Sequence, residues 1–360
     1  MNRKAFVALA LFFLPTTLWA APDVVTSLTP AASAALEVAR LELEHEMEEM
    51  RAAVRLCRQG EFEEAVPVIS KYQAQGDIGA TFIFAKMHFD GLGVEQSAET
   101  AFEMLSPNIE AGHTPSMIMM AVMKEESAPS EAFQVLRRAA SLDDPTALVY
   151  LGSVYEQGLL GLGENARLAV RQYEKIQEIG HPAGDFHMAR CYDQGIGVSP
   201  DALQSSRLYM RAALAGVPEA QVVMARRYYE GKGLEPDPIA AFGWLTRAAQ
   251  AGSTEAMVLL GQRYEMGDVI QQDLNVAGQL YSTAAKQGDA GGIYHLGMLY
   301  LNGAGTEPDP VRAYVLFDKI KNILPQAQTA MQAIEADLNP EQLALARQKI
   351  AEAASAGQGN

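Results

Sequence analysis

The sequence predicts an all-α protein, a right-handed α/α superhelical solenoid built from helix-turn-helix repeats of about 36 residues. Three observations carry this. Gly76, Gly112, Gly180, Gly216, Gly252 and Gly288 recur every 36 residues apart from one step of 68, and Gly195, Gly231, Gly267 and Gly303 form a second series with the same step. Two glycines per period are what two helices joined by two turns require. Counting back from the second-series position, Tyr155, Tyr192, Tyr228, Tyr264 and Tyr300 stand three residues before it. Leu151, Met188, Met224, Leu260 and Leu296 stand seven before, and Ala147, Gly184, Ala220, Ala256 and Gly292 eleven before, with His88, Phe84 and Ala80 in the first copy. Offsets of 3, 7 and 11 share one helix face. Finally, Ala85, Gly152, Ala189, Ala225, Gly261 and Gly297, six before, are small enough to admit a neighbouring backbone.

At the N-terminus, Arg3 and Lys4 precede an apolar run from Ala5 to Leu14 and the small-residue end Leu18-Trp19-Ala20. Residues 1–20 therefore read as an export signal cleaved near Ala20, which makes the mature protein periplasmic or secreted. A retained anchor is the alternative, but ten apolar residues fall short of the ~20 that a membrane span needs. Cleavage removes two positive charges and no acid, so the net charge moves from −16 to −18. Such acidity disfavours nucleic acid and anionic membrane surfaces.

Residues 21–60 read as a linker and a capping helix, in which Leu36, Leu43, Met47, Met50 and Val54 return at helical intervals. Residues 61–325 hold about seven repeats. In each, the second helix has a small residue eleven before the first-series glycine: Ala101, Ala169, Ser205, Ala241 and Ala277. Alanine pairs near its end (Ala212-Ala213, Ala248-Ala249, Ala284-Ala285) allow close helix packing. The repeated EPDP around Asp237-Pro238 and Asp309-Pro310 lies 72 residues apart, two periods, and reads as an N-cap followed by a first-turn proline rather than an acidic site. Residues 326–360 read as C-terminal capping helices, the last begun by Asn339-Pro340, and a disordered tail from Ser355.

The stretches "AMVLLGQRYEMGDVIQQDLNVAGQLYSTAAKQG" (256–288) and "AQVVMARRYYEGKGLEPDPIAAFGWLTRAAQAG" (220–252) carry the order Ala, Leu-Gly, Tyr, Gly, Asp, Ala and Ala-Ala-x-x-Gly in whole or large part. This pattern resembles the Sel-one-like repeat family, relatives of the tetratricopeptide repeats, over roughly residues 60 to 325. The unit from His113 to Asp144 departs from it, lacking the Gly-x-Gly loop and having Lys124 in place of tyrosine; "GLLGLG" lengthens the next loop. The resemblance implies a non-catalytic periplasmic scaffold or adaptor for proteins of the cell envelope, in assembly, polysaccharide secretion, motility or signalling. Two other implied readings are a cell-wall-active enzyme, as proposed for some cysteine-rich members whose cysteine pairs this chain lacks, and a regulator of a membrane sensor.

The residues themselves offer little chemistry. "HEMEEM" at His45 has Glu49 where a zinc protease needs its second histidine. His181 and His187 are six apart and do not share a helix face. There is no Ser-x-x-Lys, no Gly-x-Ser-x-Gly and no phosphate loop ending in Gly-Lys-Ser/Thr. No catalytic residue, metal or cofactor is expected. Cys57 and Cys191 read as free thiols, an intermolecular disulfide through Cys57 being the alternative. The methionines of "SMIMMAVMKE" (Met117, Met119, Met120, Met123) fit a core or an adaptable binding face.

A partner surface is expected on the concave wall, at offsets of 8, 5 and 1 before the loop glycine. These positions hold Tyr150, Ser153 and Gln157; His187, Arg190 and Gln194; Val223, Arg226 and Glu230; Leu259, Gln262 and Met266; and His295, Met298 and Asn302. They differ between repeats where the buried face does not. Arg190 and Arg226, in matching register, are expected to grip a carboxylate chain or acidic sugar. Partners are expected to be proteins, with membranes reached only through them.

Overall fold

The computed structural model describes residues 48–232, 234–304 and 307–358, and among them every regular element is an α-helix. The leader, most of the 21–60 segment and His45 lie outside the described residues. Helix α1 comprises residues 48–59, followed by α2 (Phe62–Ala74), α3 (Ile78–Asp90), α4 (Ala98–Glu110), α5 (Thr114–Met123) and α6 (Pro129–Ala140). Next come α7 (Pro145–Gln157), α8 (Ala166–Glu178), α9 (Pro182–Gln194), α10 (Ala202–Leu214), α11 (Pro218–Glu230) and α12 (Pro238–Gln250). The chain continues with α13 (Thr254–Met266), α14 (Leu274–Lys286), α15 (Ala290–Asn302), α16 (Pro310–Ile320), α17 (Pro325–Asp337) and α18 (Pro340–Gln358). From α3 to α16 these are pairs, a first helix A and a second helix B.

Both glycine series end helices. Second-series glycines are left-handed C-caps, Gly195 at φ 74° and Gly267 at φ 70°, and receive the turn that no β-carbon would favour. Gly197 has a second reason: a β-carbon there would lie 2.5 Å from the Ala166 carbonyl oxygen of the preceding B helix. Helix starts are equally regular. Asp144, Ser253 and Asp289 cap A helices by accepting the N–H of Ala147, Ala256 and Gly292 at 2.9, 3.2 and 2.8 Å. In EPDP, Asp237 accepts from Ile239 and Ala240 at 3.0 and 2.9 Å, and Asp309 from Arg312 at 2.8 Å. Each such cap contributes about 1 kcal/mol.

The same cap residues tie each B helix to its A helix. The backbone N–H groups of Asp201, Asp237, Asp273 and Asp309 donate to the carbonyls of Tyr192, Tyr228, Tyr264 and Tyr300, at 2.8–2.9 Å. The loop is thereby closed at a fixed length.

Two compact bodies divide the chain, one up to Met104 and one from Leu105. In the first, α1 packs on α2 and α3 through Ala53, Ala65, Ile69, Tyr72, Ala80 and Met87. Glu49 accepts from Lys71 Nζ at 2.7 Å and from the Tyr72 hydroxyl at 2.8 Å. In the second, each A helix packs on its own B helix and each B helix on the next A helix. The small residues of the B helices, Ala169, Ser205, Ala241 and Ala277, are fully buried.

One packing device recurs within the A–B pairs. A fully buried side chain of helix B enters the notch left by the small residue six before the loop glycine. Tyr173 lies against Gly152, Tyr281 against Gly261 and Phe317 against Gly297, each so close that a β-carbon would collide with the ring. Leu245 holds this place in the repeat of Ala225 and Tyr209 in that of Ala189.

Two regions differ from regularity. Helix α5 has 10 residues instead of 13 and ends on Lys124, and within it Met117 and Met120 are core while Met119 and Met123 are half-buried. At the other end Asn339 and Gln342 exchange side-chain bonds with each other's N–H in a capping box that starts α18. This helix runs to Gln358, where a disordered tail from Ser355 is expected; its alanine-rich sequence has high helix propensity.

Candidate partner-binding surface

All the candidate residues lie in the second body, on helices A, and their exposure sorts by offset. Nearest the loop, Gln157, Gln194, Glu230, Met266 and Asn302 are exposed. Eight before it, Tyr150, His187, Val223, Leu259 and His295 are half-buried, because this offset leans on the B helix of the preceding repeat. His187 stacks on Tyr173 with ring centroids 4.7 Å apart and planes 16° from parallel; His295 stacks on Tyr281 at 5.0 Å and 21°. Tyr150 donates to Glu125 at 3.1 Å.

Desolvation controls the titration of these groups. Burial, then the Arg190 charge, pulls the His187 imidazole down to about 4. His295 is likewise lowered by burial, while its Nε2 and the Gln262 amide lie 2.9 Å apart. Burial, then the bond to Glu125, pushes Tyr150 up to about 12.

The two candidate arginines turn in opposite directions along the array. Arg190 turns back to the preceding repeat, pairing with Glu156 and reaching the Tyr173 hydroxyl at 3.4 Å, with its side chain 27% exposed. Arg226 turns forward to Glu255 of the next repeat, with both partners more than half exposed. Val223 on α11 and Leu259 on α13 are apolar at the same offset, and Met298 on α15 is half-buried. Ser153 is half-buried as well.

The structure adds a group of joint residues that offset reasoning did not single out. Two before the loop glycine stand Glu156, Asp193 and Glu265. Tyr173 donates to Glu156 at 3.0 Å and Tyr281 to Glu265 at 2.8 Å. Asp193 instead receives Arg227 of the next repeat at 2.8 Å. Arg227 is 2% exposed, bonded also to Ser205 and Ser206 and seated over the Tyr209 ring at 4.9 Å. The signal was present: Tyr173, Tyr209 and Tyr281 are separated by one and two periods of 36. Aligning on glycine and alanine passed over it.

Among the described residues no three His, Cys, Asp or Glu side chains converge as a metal group. His181 caps α9 at Ala183, apart from the His187 stack. Cys57 and Cys191 are both free thiols, and burial pushes Cys191 up to about 11.

The Sel1 repeat family model matches residues 76–113, 145–175, 182–217, 218–253, 254–289 and 290–320, together more than half of the chain. The unmatched stretch before Pro145 contains the shortened α5. Among solved structures, a Sel1 repeat protein from Oxalobacter formigenes is similar at TM-score 0.55 and 24% identity, covering 82% of this chain and 90% of its own. Yeast Tom70 is similar at TM-score 0.51 and 15% identity, covering 77% of this chain and 60% of its own. The protective antigen c5321 of uropathogenic Escherichia coli, which displays an SLR fold, aligns at 20% identity over 89% of this chain and 86% of its own, with TM-score 0.42. No curated protein matched in the comparison. With the helix pairs, their caps and the six matched units in agreement, this chain belongs to the Sel1 repeat family.

Proposed function

We propose that the chain is a non-catalytic periplasmic adaptor that holds proteins of the cell envelope on the A-helix face of its Sel1 array. The Sel1 fold is one that mediates protein–protein interaction, and one observation carries the finer reading. Along the array the buried framework repeats, while the exposed ends of the A helices pass from the amides Gln157 and Gln194 to the acid Glu230, the apolar Met266 and the amide Asn302. A rigid frame whose displayed side chains vary along the array is suited to recognising one extended partner, with few residues supplying most of the energy. Residues 1–20 direct export and are removed near Ala20, and residues 21–60 and 326–360 cap the array. Among the described residues no helix is long and apolar enough to cross a membrane.

The experiment is photo-cross-linking in cells, with the cross-linker placed in turn at Gln157, Gln194, Glu230 and Met266 and at Glu178 on a B helix as control. An envelope protein captured from the A-face positions and not from Glu178 supports the adaptor. Equal capture from both faces, or none from either, overturns it. N-terminal sequencing of the protein recovered from the periplasmic fraction tests the export step.

A further inference from the structure

The joint between the repeats 218–253 and 254–289 differs from the joints on either side. In the repeats on either side, and in the one from Pro145, the position two before the loop glycine is a carboxylate that meets a tyrosine hydroxyl of its own repeat or an arginine of the next: Glu156 with Tyr173 and Arg190, Asp193 with Arg227, Glu265 with Tyr281; Phe89 and Leu301 hold it in the first and last copies. Here that position is Tyr229, and the B-helix position that is tyrosine in the neighbouring repeats is Leu245. The carboxylate is missing, and what remains is a groove of about 460 Å³ lined by Arg226, Tyr229, Glu230, Leu245, Leu259 and Arg263. The Tyr229 hydroxyl is buried with no hydrogen-bond partner. Arg263, in the register of Arg227, lies over the Tyr229 ring at 5.0 Å and sends its charge to Asp268 at 2.8 Å instead of across the joint.

We propose that this groove binds a glutamate or aspartate side chain, flanked by apolar residues, on a segment of the partner protein. The incoming carboxylate takes the place that Glu156, Asp193 and Glu265 fill from within. The Tyr229 hydroxyl and the guanidinium groups of Arg226 and Arg263 donate to it, and Leu245 and Leu259 receive the flanking apolar side chains. Present ion pairs do not prevent this. Arg226–Glu255 is exposed on both sides and Arg263–Asp268 is exposed at the aspartate, and such pairs exchange at little cost. Glu230, at the end of α11, opposes the ligand charge and sets a limit on affinity.

This inference rests on the adaptor reading, naming the chemistry of the partner at one joint. The test is fluorescence anisotropy with the full-length mature protein and a labelled peptide of two leucines, one glutamate and two leucines between Gly-Ser ends, beside its glutamine counterpart. The glutamate peptide is expected to bind about tenfold more tightly than the glutamine one. Tyr229→Phe, which keeps the ring, is expected to weaken it about tenfold, and Glu230→Gln to strengthen it. Tyr229→Asp combined with Leu245→Tyr copies the Asp193–Tyr209–Arg227 joint and should abolish binding while the thermal midpoint is kept or raised. Equal binding of the two peptides, binding of neither, or full binding to that double variant would overturn the proposal. If A-face cross-linking captures a partner that the double variant still retains, the adaptor stands and this inference falls.

Discussion

Replacing Gly261 by alanine puts the ring-and-notch device to a quantitative test. A β-carbon at Gly261 would lie 2.5 Å from Cε1, 2.9 Å from Cδ1 and 3.0 Å from Cζ of Tyr281. That ring cannot swing aside freely: it is fully buried, donates to Glu265 at 2.8 Å and carries the stacked His295 on its face. Overpacking of this kind costs about 1–3 kcal/mol, and losing the bond to a charged acceptor adds about 1.5–3 kcal/mol. Against this, alanine gains about 1 kcal/mol of helix propensity over glycine. The net expectation is a loss of about 1.5–5 kcal/mol, read as a thermal midpoint lowered by about 2–4 °C for each kcal/mol in a body of this size. The assay is urea and thermal unfolding followed by circular dichroism, with two controls. Gly243→Ala, on a helix position with no atom within 4 Å of the new methyl, isolates propensity and should stabilise slightly. Gly261→Ala with Tyr281→Leu reproduces the Ala225–Leu245 pairing found one period earlier and should recover most of the loss. The reasoning fails if Gly261→Ala behaves like Gly243→Ala, or if the double variant is no better than the single one.

Further predictions follow from the joints and caps. Arg227→Met leaves two buried serines without their donor and Asp193 with only the exposed Lys232 at 3.4 Å, and should cost about 3 kcal/mol, while the adjacent Arg226→Ala, losing an exposed pair, should change stability by less than about 1 kcal/mol; equal effects would refute the assignment of inward and outward arginines. His187, held near 4 when folded against an unfolded value of 6.5, contributes stability that is complete above 6.5 and is lost as pH falls toward 4. The loss reaches about 3 kcal/mol at the lower end, so unfolding midpoints measured between pH 7 and pH 4 should fall less steeply in His187→Phe than in the wild type. Asp237→Ala should cost about 1 kcal/mol and Asp237→Asn little, with added calcium changing neither midpoint, since EPDP works as a cap.

The backbone was the most legible layer of this sequence. Glycines that end helices and aspartates that begin them act within a few residues, so their spacing alone displays the period, as at Gly195 and Asp237. Buried small positions were legible for a related reason: Ala189 and Gly261 answer to one constraint, close approach, repeated at every step. The polar joints were less so. Arg190 and Arg226 share a register yet turn in opposite directions, because the choice depends on whether Glu156 behind or Glu255 ahead lies within reach. Arg227 looked like any charged residue on a helix, and only the three-dimensional arrangement of Asp193, Ser205 and Ser206 explains its burial. From Ser355 to Gln358 glycine and serine weigh against helix locally, while the preceding alanines carry α18 through them.

The rings that fill their notches and the carboxylates that reach across joints have different consequences for how such an array changes over generations. Gly152 with Tyr173, and Gly261 with Tyr281, belong to the same repeat, so a duplicated or transplanted repeat carries its own core with it. Arg227 and Asp193 belong to different repeats, so the same event separates them and each new neighbour must be matched afresh. Lengthening the array is therefore easy for the interior and demanding at the seams, and a seam left unmatched becomes a place where another protein can be accommodated.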